Sequence, residues 1–240
     1  MLKVGVVGYG TGGQHFHTPF IAAARGCTLA AIVARAPETV AKARADWPET
    51  PIYPSLSALI AAGICDAVTI TTPPQTRRKR VLEAIAAGLH VIADNPFAPT
   101  AEAAMDLDRA ARAKGVVHGV YQIHLDSREL RAYGDKGAYV ASTTDVQVQD
   151  IFAGRRPADD PDGWGRESEA NWGTLSCASG RVRIPSEQGR YHDYYEAFAA
   201  AVRTGAAPPV TADEGARTLV VLDVARQSAT ENRSIFLSTP

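Results

Sequence analysis

The sequence predicts an α/β fold class: a doubly wound parallel sheet in the N-terminal half, followed by an α+β region with antiparallel strands. Three observations carry this expectation. Short β-branched apolar runs alternate with helix-periodic segments from residue 2 to residue 120. Glycines punctuate the junctions, with Gly26, Gly63, Gly88 and Gly115 placed where a helix ends in a left-handed residue. After Tyr121 the alternation stops, and Gly, Asp and Arg interrupt several short strand-like runs.

Taken in order, residues 2–7 form an apolar run that ends in glycines, and residues 13–24 follow with helical apolar spacing, so the chain opens strand, turn, helix. A strand at 28–34, a helix at 37–45, an extended piece near Ile52 and a helix at 56–62 continue the pattern. A strand at 67–71, a helix at 77–87, a strand at 90–93, a helix at 101–114 and a strand at 116–120 complete it. Strands that alternate with helices in this way pair in parallel and are covered on both faces. Beyond that point the expected strands are 138–142, 144–148, 172–176 and 182–185, with a loop at 157–169 rich in Pro, Asp and Gly. Two helices, 191–203 and 212–231, and a terminal strand at 234–238 close the chain.

With 240 residues and 45% apolar composition, the chain buries a real core. Lys plus Arg (25) balance Asp plus Glu (26), so no strong field favours nucleic acid or an anionic membrane surface. The basic run Arg77-Arg78-Lys79-Arg80 reads as one solvated helical turn in a neutral chain. No apolar run is long enough to span a bilayer and no leader-like pattern opens the sequence, so the expected location is cytoplasmic. Cys27, Cys65 and Cys177 are odd in number and far apart, which fits free, mostly buried thiols rather than disulfides. His15 and His17 are two apart and point to different sides of a helix, so no metal site is expected. Tyr191, Tyr194, Tyr195 and Phe198 read as an aromatic packing face.

The turn after the first strand is Gly8-Tyr9-Gly10-Thr11-Gly12-Gly13. A strand enters it and a helix leaves it, so backbone N–H groups and the positive helix end converge where a pyrophosphate sits in a Rossmann fold. The missing Cβ at Gly10 admits the phosphates; the missing Cβ at Gly13 lets helix and strand pack. The end of the second strand reads Ala34-Arg35-Ala36, with no acid to accept from a ribose hydroxyl. Arg35 offers a planar fork to a 2′-phosphate instead, so NADP is expected over NAD.

These residues belong to a wider likeness, to the Gfo/Idh/MocA family of NAD(P)-dependent oxidoreductases. Residues 4–10 with Phe16-His17-Thr18-Pro19-Phe20 resemble the family's opening in its Phe-His-x-Pro branch. Thr72-Pro73-Pro74 resembles the Thr-Pro-Asn loop on the nicotinamide side, and Asp94-Asn95-Pro96 resembles the Asp/Glu-Lys-Pro signature. Trp172-Gly173-Thr174-Leu175, Pro185-Ser186-Glu187 and residues 194–202 are similar to that branch's closing segments. The resemblance implies a Rossmann domain at 1–122 and a C-terminal α+β domain at 123–240. It also implies that Thr71, Thr72, Pro73, Arg77, Asp94, Asn95 and Gln122 line the cofactor beside the glycine loop.

Three departures bear on function. Asn95 stands where the family has the lysine that positions or protonates the reacting oxygen, and an amide transfers no proton; such a group contributes roughly 10²–10⁴-fold. The chain is about a hundred residues shorter than two-domain relatives, the size of a small domain, and the loss lies between Asp126-Ser127-Arg128 and residues 134–140. With it goes the family's Asp-x-x-x-His motif, since none of the six histidines has an aspartate four residues before it. Third, Arg77 replaces a histidine, and Ile123-His124-Leu125 replaces a polar stretch after Gln122. The resemblance therefore implies an NADP-binding protein with weakened or lost catalysis and a regulatory or supporting role. The alternative is a working NADP-dependent oxidoreductase of sugar-like or cyclic hydroxyl or carbonyl compounds, in which Asn95 holds the substrate and His17, Tyr121 or His124 moves the proton. A truncated antiparallel sheet leaves edges or an apolar face to cover, so a homodimer or larger homo-oligomer is expected, formed through residues beyond Ala138.

Overall fold

Six parallel strands form the first sheet: β1 (Leu2–Val7), β2 (Cys27–Val33), β3 (Ile52–Tyr53), β4 (Ala67–Ile70), β5 (His90–Asp94) and β6 (His118–Tyr121), in the order β3-β2-β1-β4-β5-β6. The structure, a computed structural model, describes residues 1–121, 128–143 and 145–237. Strand order reverses between β1 and β4, and a doubly wound sheet opens its ligand crevice at such a point, outside the carboxyl ends of the strands. Every residue of β4 and β6 is buried, as the unbroken apolar runs require of strands covered on both sides.

Helices α3 (Leu56–Ala62), α4 (Pro74–Ala86), α5 (Ala101–Lys114) and α8 (Ala212–Glu231) share one core with the sheet, including Val68, Ile70, Val91, Leu107 and Leu219. A second cluster joins Tyr9 and Ile32 to Ala43 of α2 (Pro37–Asp46). The chain enters its first helix through a π-helical turn (Gly12–His17) and only then runs as α1 (Thr18–Ala23), with Pro19 in the first turn. The sequence spacing predicts one helix over 13–24; the proline lacks the N–H that an unbroken α-helix needs there. The expected start of α4 at Arg77 moves back to Pro74, a residue pre-set for a first helical turn.

The chain divides into two compact units, Met1–Gln122 with Asp193–Pro240, and Ile123–His192. The sequence assigns all of 123–240 to a second domain, whereas α8 packs on α5 in the first unit, burying Ala212, Gly215, Ala216 and Leu219. Asp223 Oδ2 on α8 accepts the Ala101 N–H at the start of α5, at 2.9 Å. Val120 N–H donates to Val210 O at 3.1 Å, and Gly119 bridges Thr211, so the lead into α8 covers the edge strand β6.

In the second unit, β7 (Arg128–Gly134), β8 (Gly137–Thr143), β9 (Gly173–Cys177) and β10 (Gly180–Ile184) form an antiparallel sheet in the order β10-β9-β8-β7. The strand expected at 144–148 is replaced over 146–148 by α6 (Val146–Phe152), started by the Asp145 carboxylate, which accepts Gln147 N–H at 3.0 Å; residue 144 lies outside the described residues. Gln147 Oε1 in turn accepts Trp164 Nε1–H and Tyr191 N–H, both at 3.0 Å, and so pins the irregular 157–169 segment. The terminal strand expected at 234–238 is not formed over 234–237. All three thiols are free, but only Cys27 is buried; Cys65 and Cys177 are half-buried. Among the described residues no helix is long and apolar enough to cross a membrane.

Candidate functional site

β1 delivers the chain into the crevice through Gly8, whose φ of +106° is open to glycine and strained for other residues. A Cβ at Gly13 would stand 2.0 Å from Gly8 O, so turn and helix touch through backbone alone. A Cβ at Gly10 would meet nothing within 4 Å: here the bare backbone faces open space. The π-helical turn begins at Gly12, with Thr11 at its N-cap and no side chain closing it. First-turn N–H groups lack partners within a helix and carry its positive end, so this cradle fits the pyrophosphate of a dinucleotide.

Two side chains brace the cradle. Thr71 Oγ1 donates to Gly8 O at 2.9 Å. Tyr9 turns its ring into the core and donates its hydroxyl to Asp46 Oδ2 at 2.7 Å, an oxygen that also accepts Gln14 Nε2–H at 2.8 Å. Burial and Asp46 push the Tyr9 phenol far up, so it stays a neutral donor. The sequence marks Tyr9 but misses Asp46, which carries no motif. Arg35 is exposed just beyond β2, with its guanidinium available at the end of that strand.

Across the crevice, Thr72, Pro73, Arg77, Asp94 and Asn95 gather at the ends of β4 and β5. Arg77, expected on a solvated basic turn, is 3% exposed. Its Nε donates to Thr72 O at 2.9 Å, and Nη1 donates to the carbonyls of Asp94 and Pro96, so it ties the Thr72-Pro73 loop to the Asp94-Asn95-Pro96 loop. Asn95 is exposed, joined to Pro96 by a cis peptide bond, and its N–H donates to Asp94 Oδ1 at 2.9 Å.

Behind these loops lies a buried aromatic cluster built around His17. Its Nδ1 shares a short hydrogen bond with the Tyr195 hydroxyl, and its ring lies 4.6 Å from that of Tyr121. Its Nε2 is 3.5 Å from Asp94 Oδ1, close enough to pair and too long for a formed hydrogen bond. Burial pushes the Asp94 carboxyl up, but His17, Arg77 and the Asn95 N–H together outweigh it and hold the group below the usual carboxylate range. Tyr195, on α7 (His192–Thr204), is fully buried; the sequence reads it as packing, and its aromatic neighbours Tyr191 (i−4) and Phe198 (i+3) hide any polar signal. Gln122 and His124 lie outside the described residues.

The chain matches the NAD-binding Rossmann domain of the Gfo/Idh/MocA oxidoreductases over residues 2–122 and that family's C-terminal alpha/beta domain over 73–237. It is 23% identical to the scyllo-inositol 2-dehydrogenase (NADP(+)) IolW of Bacillus subtilis, over 98% of this chain and 96% of that one. That alignment runs over 348 residues against a chain of 240, so it crosses many positions that this chain lacks. The uncharacterized oxidoreductase YdgJ of Escherichia coli is 35% identical over 50% of the chain and 34% of its own length. Among solved structures, yvaA of Bacillus subtilis superposes with a TM-score of 0.88 at 21% identity, covering 99% of this chain and 98% of the other. With both domains of the family represented and the dinucleotide cradle open, this chain belongs to the Gfo/Idh/MocA oxidoreductase family.

Proposed function

We propose that the protein binds NADP(H) in preference to NAD(H) and has weakened hydride-transfer activity on cyclic polyols or sugar-like hydroxyl and carbonyl compounds. The observation that carries this is Asn95, exposed at the end of β5 beside Asp94, where the family resemblance calls for a lysine. An amide orients a hydroxyl or carbonyl by hydrogen bonding but neither takes nor gives a proton, and losing such a group costs roughly 10²–10⁴-fold in rate. The bound nicotinamide dinucleotide supplies the hydride donor or acceptor. The chain's own part is to hold it: the backbone of Gly10 to Gly13 receives the pyrophosphate, Thr71 fixes the loop, and Arg35 meets a ribose 2′-phosphate. The polyol class rests on the NADP-dependent inositol dehydrogenase among the relatives. The same reading includes self-association through the antiparallel sheet.

Fluorescence titration with NADPH and NADH, followed by turnover of cyclic polyols and aldoses by the wild type and Asn95→Lys, tests the reading. The expected result is tighter binding of NADPH by at least about tenfold, a preference lost in Arg35→Ala, as expected of a charged fork on a phosphate. Asn95→Lys gains about 10²-fold in turnover. No binding of either nucleotide, or a wild type as fast as Asn95→Lys, overturns it. Binding with no turnover in the wild type assigns the regulatory or supporting role instead.

A further inference from the structure

We propose that Asp94 is the proton-transferring group of this site, and that His17 and Tyr195 are positioning residues that hold it ready. The inference rests on the hydride-transfer reading above and assigns the step that Asn95 leaves open.

Geometry singles out Asp94. It ends β5, one strand beyond the switch between β1 and β4, with its side chain 21% exposed, while His17 behind it is fully buried. Its two oxygens are differentiated. Oδ1 accepts the Asn95 N–H and faces His17 Nε2. Oδ2 accepts no hydrogen bond among the described residues; it lies 4.0 Å from Arg77 Nη2 and would lie 3.1 Å from a Cβ at Gly12, so it points toward the glycine loop. Asn95 is the next residue along and its N–H lies on Asp94 Oδ1, so a reacting hydroxyl held by Asn95 sits beside this carboxylate. His17 Nε2 is a buried ring nitrogen with no hydrogen-bond partner among the described residues, and a contact of 3.5 Å tightens when a carboxylate swings or gains charge. The Tyr195 hydroxyl on Nδ1 fixes the ring so that Nε2 stays aimed at Asp94.

In the oxidative direction the carbinol C–H pair leaves as hydride to the nicotinamide of NADP+, and the O–H bond breaks with its proton passing to Asp94 Oδ2. The C=O bond forms, and Asp94 is left as a neutral carboxylic acid that releases the proton to water. Reduction runs the same transfers backward. The charged and titratable groups facing Asp94 are His17 from the π-helical turn, Arg77 from α4 and the phenol of Tyr195 on α7, against which Tyr121 on β6 and Tyr194 on α7 pack. His17 and Arg77 favour the ionised form, while burial opposes it. A carboxylate so held is a weak base, which fits a slow enzyme.

Removing His17 leaves burial less opposed, so the Asp94 carboxyl moves up, and the acidic limb of the pH–rate profile moves up with it. A purely structural histidine would lower the rate at every pH and leave the limb in place. Wild type, Asp94→Asn, His17→Asn and Tyr195→Phe are assayed with NADP+ and a panel of cyclic polyols from pH 4 to 10, and NADPH affinity is measured for each. The Asp94 side chain is also followed by 13C NMR on the selectively labelled protein, which needs no turnover. Asp94→Asn is expected to lose about 10²-fold or more in kcat at saturating NADP+. His17→Asn is expected to shift both the limb and the Asp94 13C titration upward, and Tyr195→Phe to shift them less in the same direction. Wild-type kcat in Asp94→Asn, an unmoved limb and titration in folded His17→Asn, or a wild type without turnover would each overturn the proposal. Loss of NADPH binding in the wild type would instead sink the cofactor reading beneath it.

Discussion

Arg77 shows how a single side chain joins the two loops on which the crevice depends. Its guanidinium satisfies the carbonyls of Thr72, Asp94 and Pro96 inside the protein and lies near the Asp94 carboxylate. Burial pulls its pKa down and Asp94 partly restores it, yet an arginine keeps its charge at any ordinary pH. Arg77→Met keeps the apolar stem and strands those carbonyls, at a cost of about 3 kcal/mol. Urea unfolding at pH 7 reads this directly; a loss below about 0.5 kcal/mol would contradict the stapling role, since that is the range of featureless surface changes. The burial of Arg77 was within reach of the sequence, because Arg77, Val81, Ala84 and Ile85 lie on one helical stripe. Four consecutive basic residues masked that stripe. The glycine cradle was legible because most of its demands are local: Gly8 answers its own positive φ, Gly13 a backbone contact five residues back and Gly10 an open face. Asp46, and the tie between Tyr195 and His17, were not legible, because they join positions 37 and 178 residues apart and nothing local requires them.

At the scale of elements, local signals again separate what was readable from what was not. Gly63 and Gly115 end α3 and α5 in left-handed conformations, and Ser55, Thr100 and Thr211 cap helix starts, all chemistry confined to one turn. Residues 144–148 misled because Val146 and Val148 alternate like a strand over too short a window, while the buried set of the real helix is Gln147, Val148 and Ile151. β7 went unseen because Glu129 and Arg131 within it, and Lys136 in the turn that follows, dilute any apolar pattern; register with β8 sets it. That register also aligns Ala132, Tyr139, Leu175 and Val182 in one row across all four strands. Leu130, two residues from Ala132 on the same face, is 50% exposed, Leu175 37% and Val182 55%. A row of that kind suits a two-fold contact between copies, in which each strand face meets its own image. Val182→Glu places a charge in the row and is expected to convert a dimer to monomer in light scattering, with NADPH affinity kept. A wild type that is monomeric at high concentration would dismiss the contact.

For the whole molecule, the sharpest consequence concerns pH. His118 lies in β6, 5% exposed, with neither ring nitrogen hydrogen-bonded among the described residues and the Phe97 ring 5.7 Å away. Burial depresses its pKa to about 4, against a weak opposing pull from Asp108. The unfolded chain therefore takes up a proton at this residue near pH 6.5, and the folded chain does not until about pH 4. Folding stability is full above pH 6.5 and falls as pH drops toward 4, by about 3 kcal/mol from this group. His90, depressed by burial in the same direction, adds to the slope. Asp94, Glu196 and Glu214 are held below their ordinary values, so their contributions are present above the unfolded carboxylate range and are lost as pH falls through their folded values. Acid sensitivity thus arrives in two stages, histidine first and carboxylates second. His118→Leu removes this residue's share of the first stage and fills the same apolar site without an unbonded nitrogen, which is neutral or stabilising in itself. Urea unfolding at pH 7.5 and pH 5 should give a smaller stability difference for His118→Leu than for the wild type, by about 1–2 kcal/mol. Equal differences for the two proteins would mean that the imidazole gains a proton inside the fold as easily as outside it.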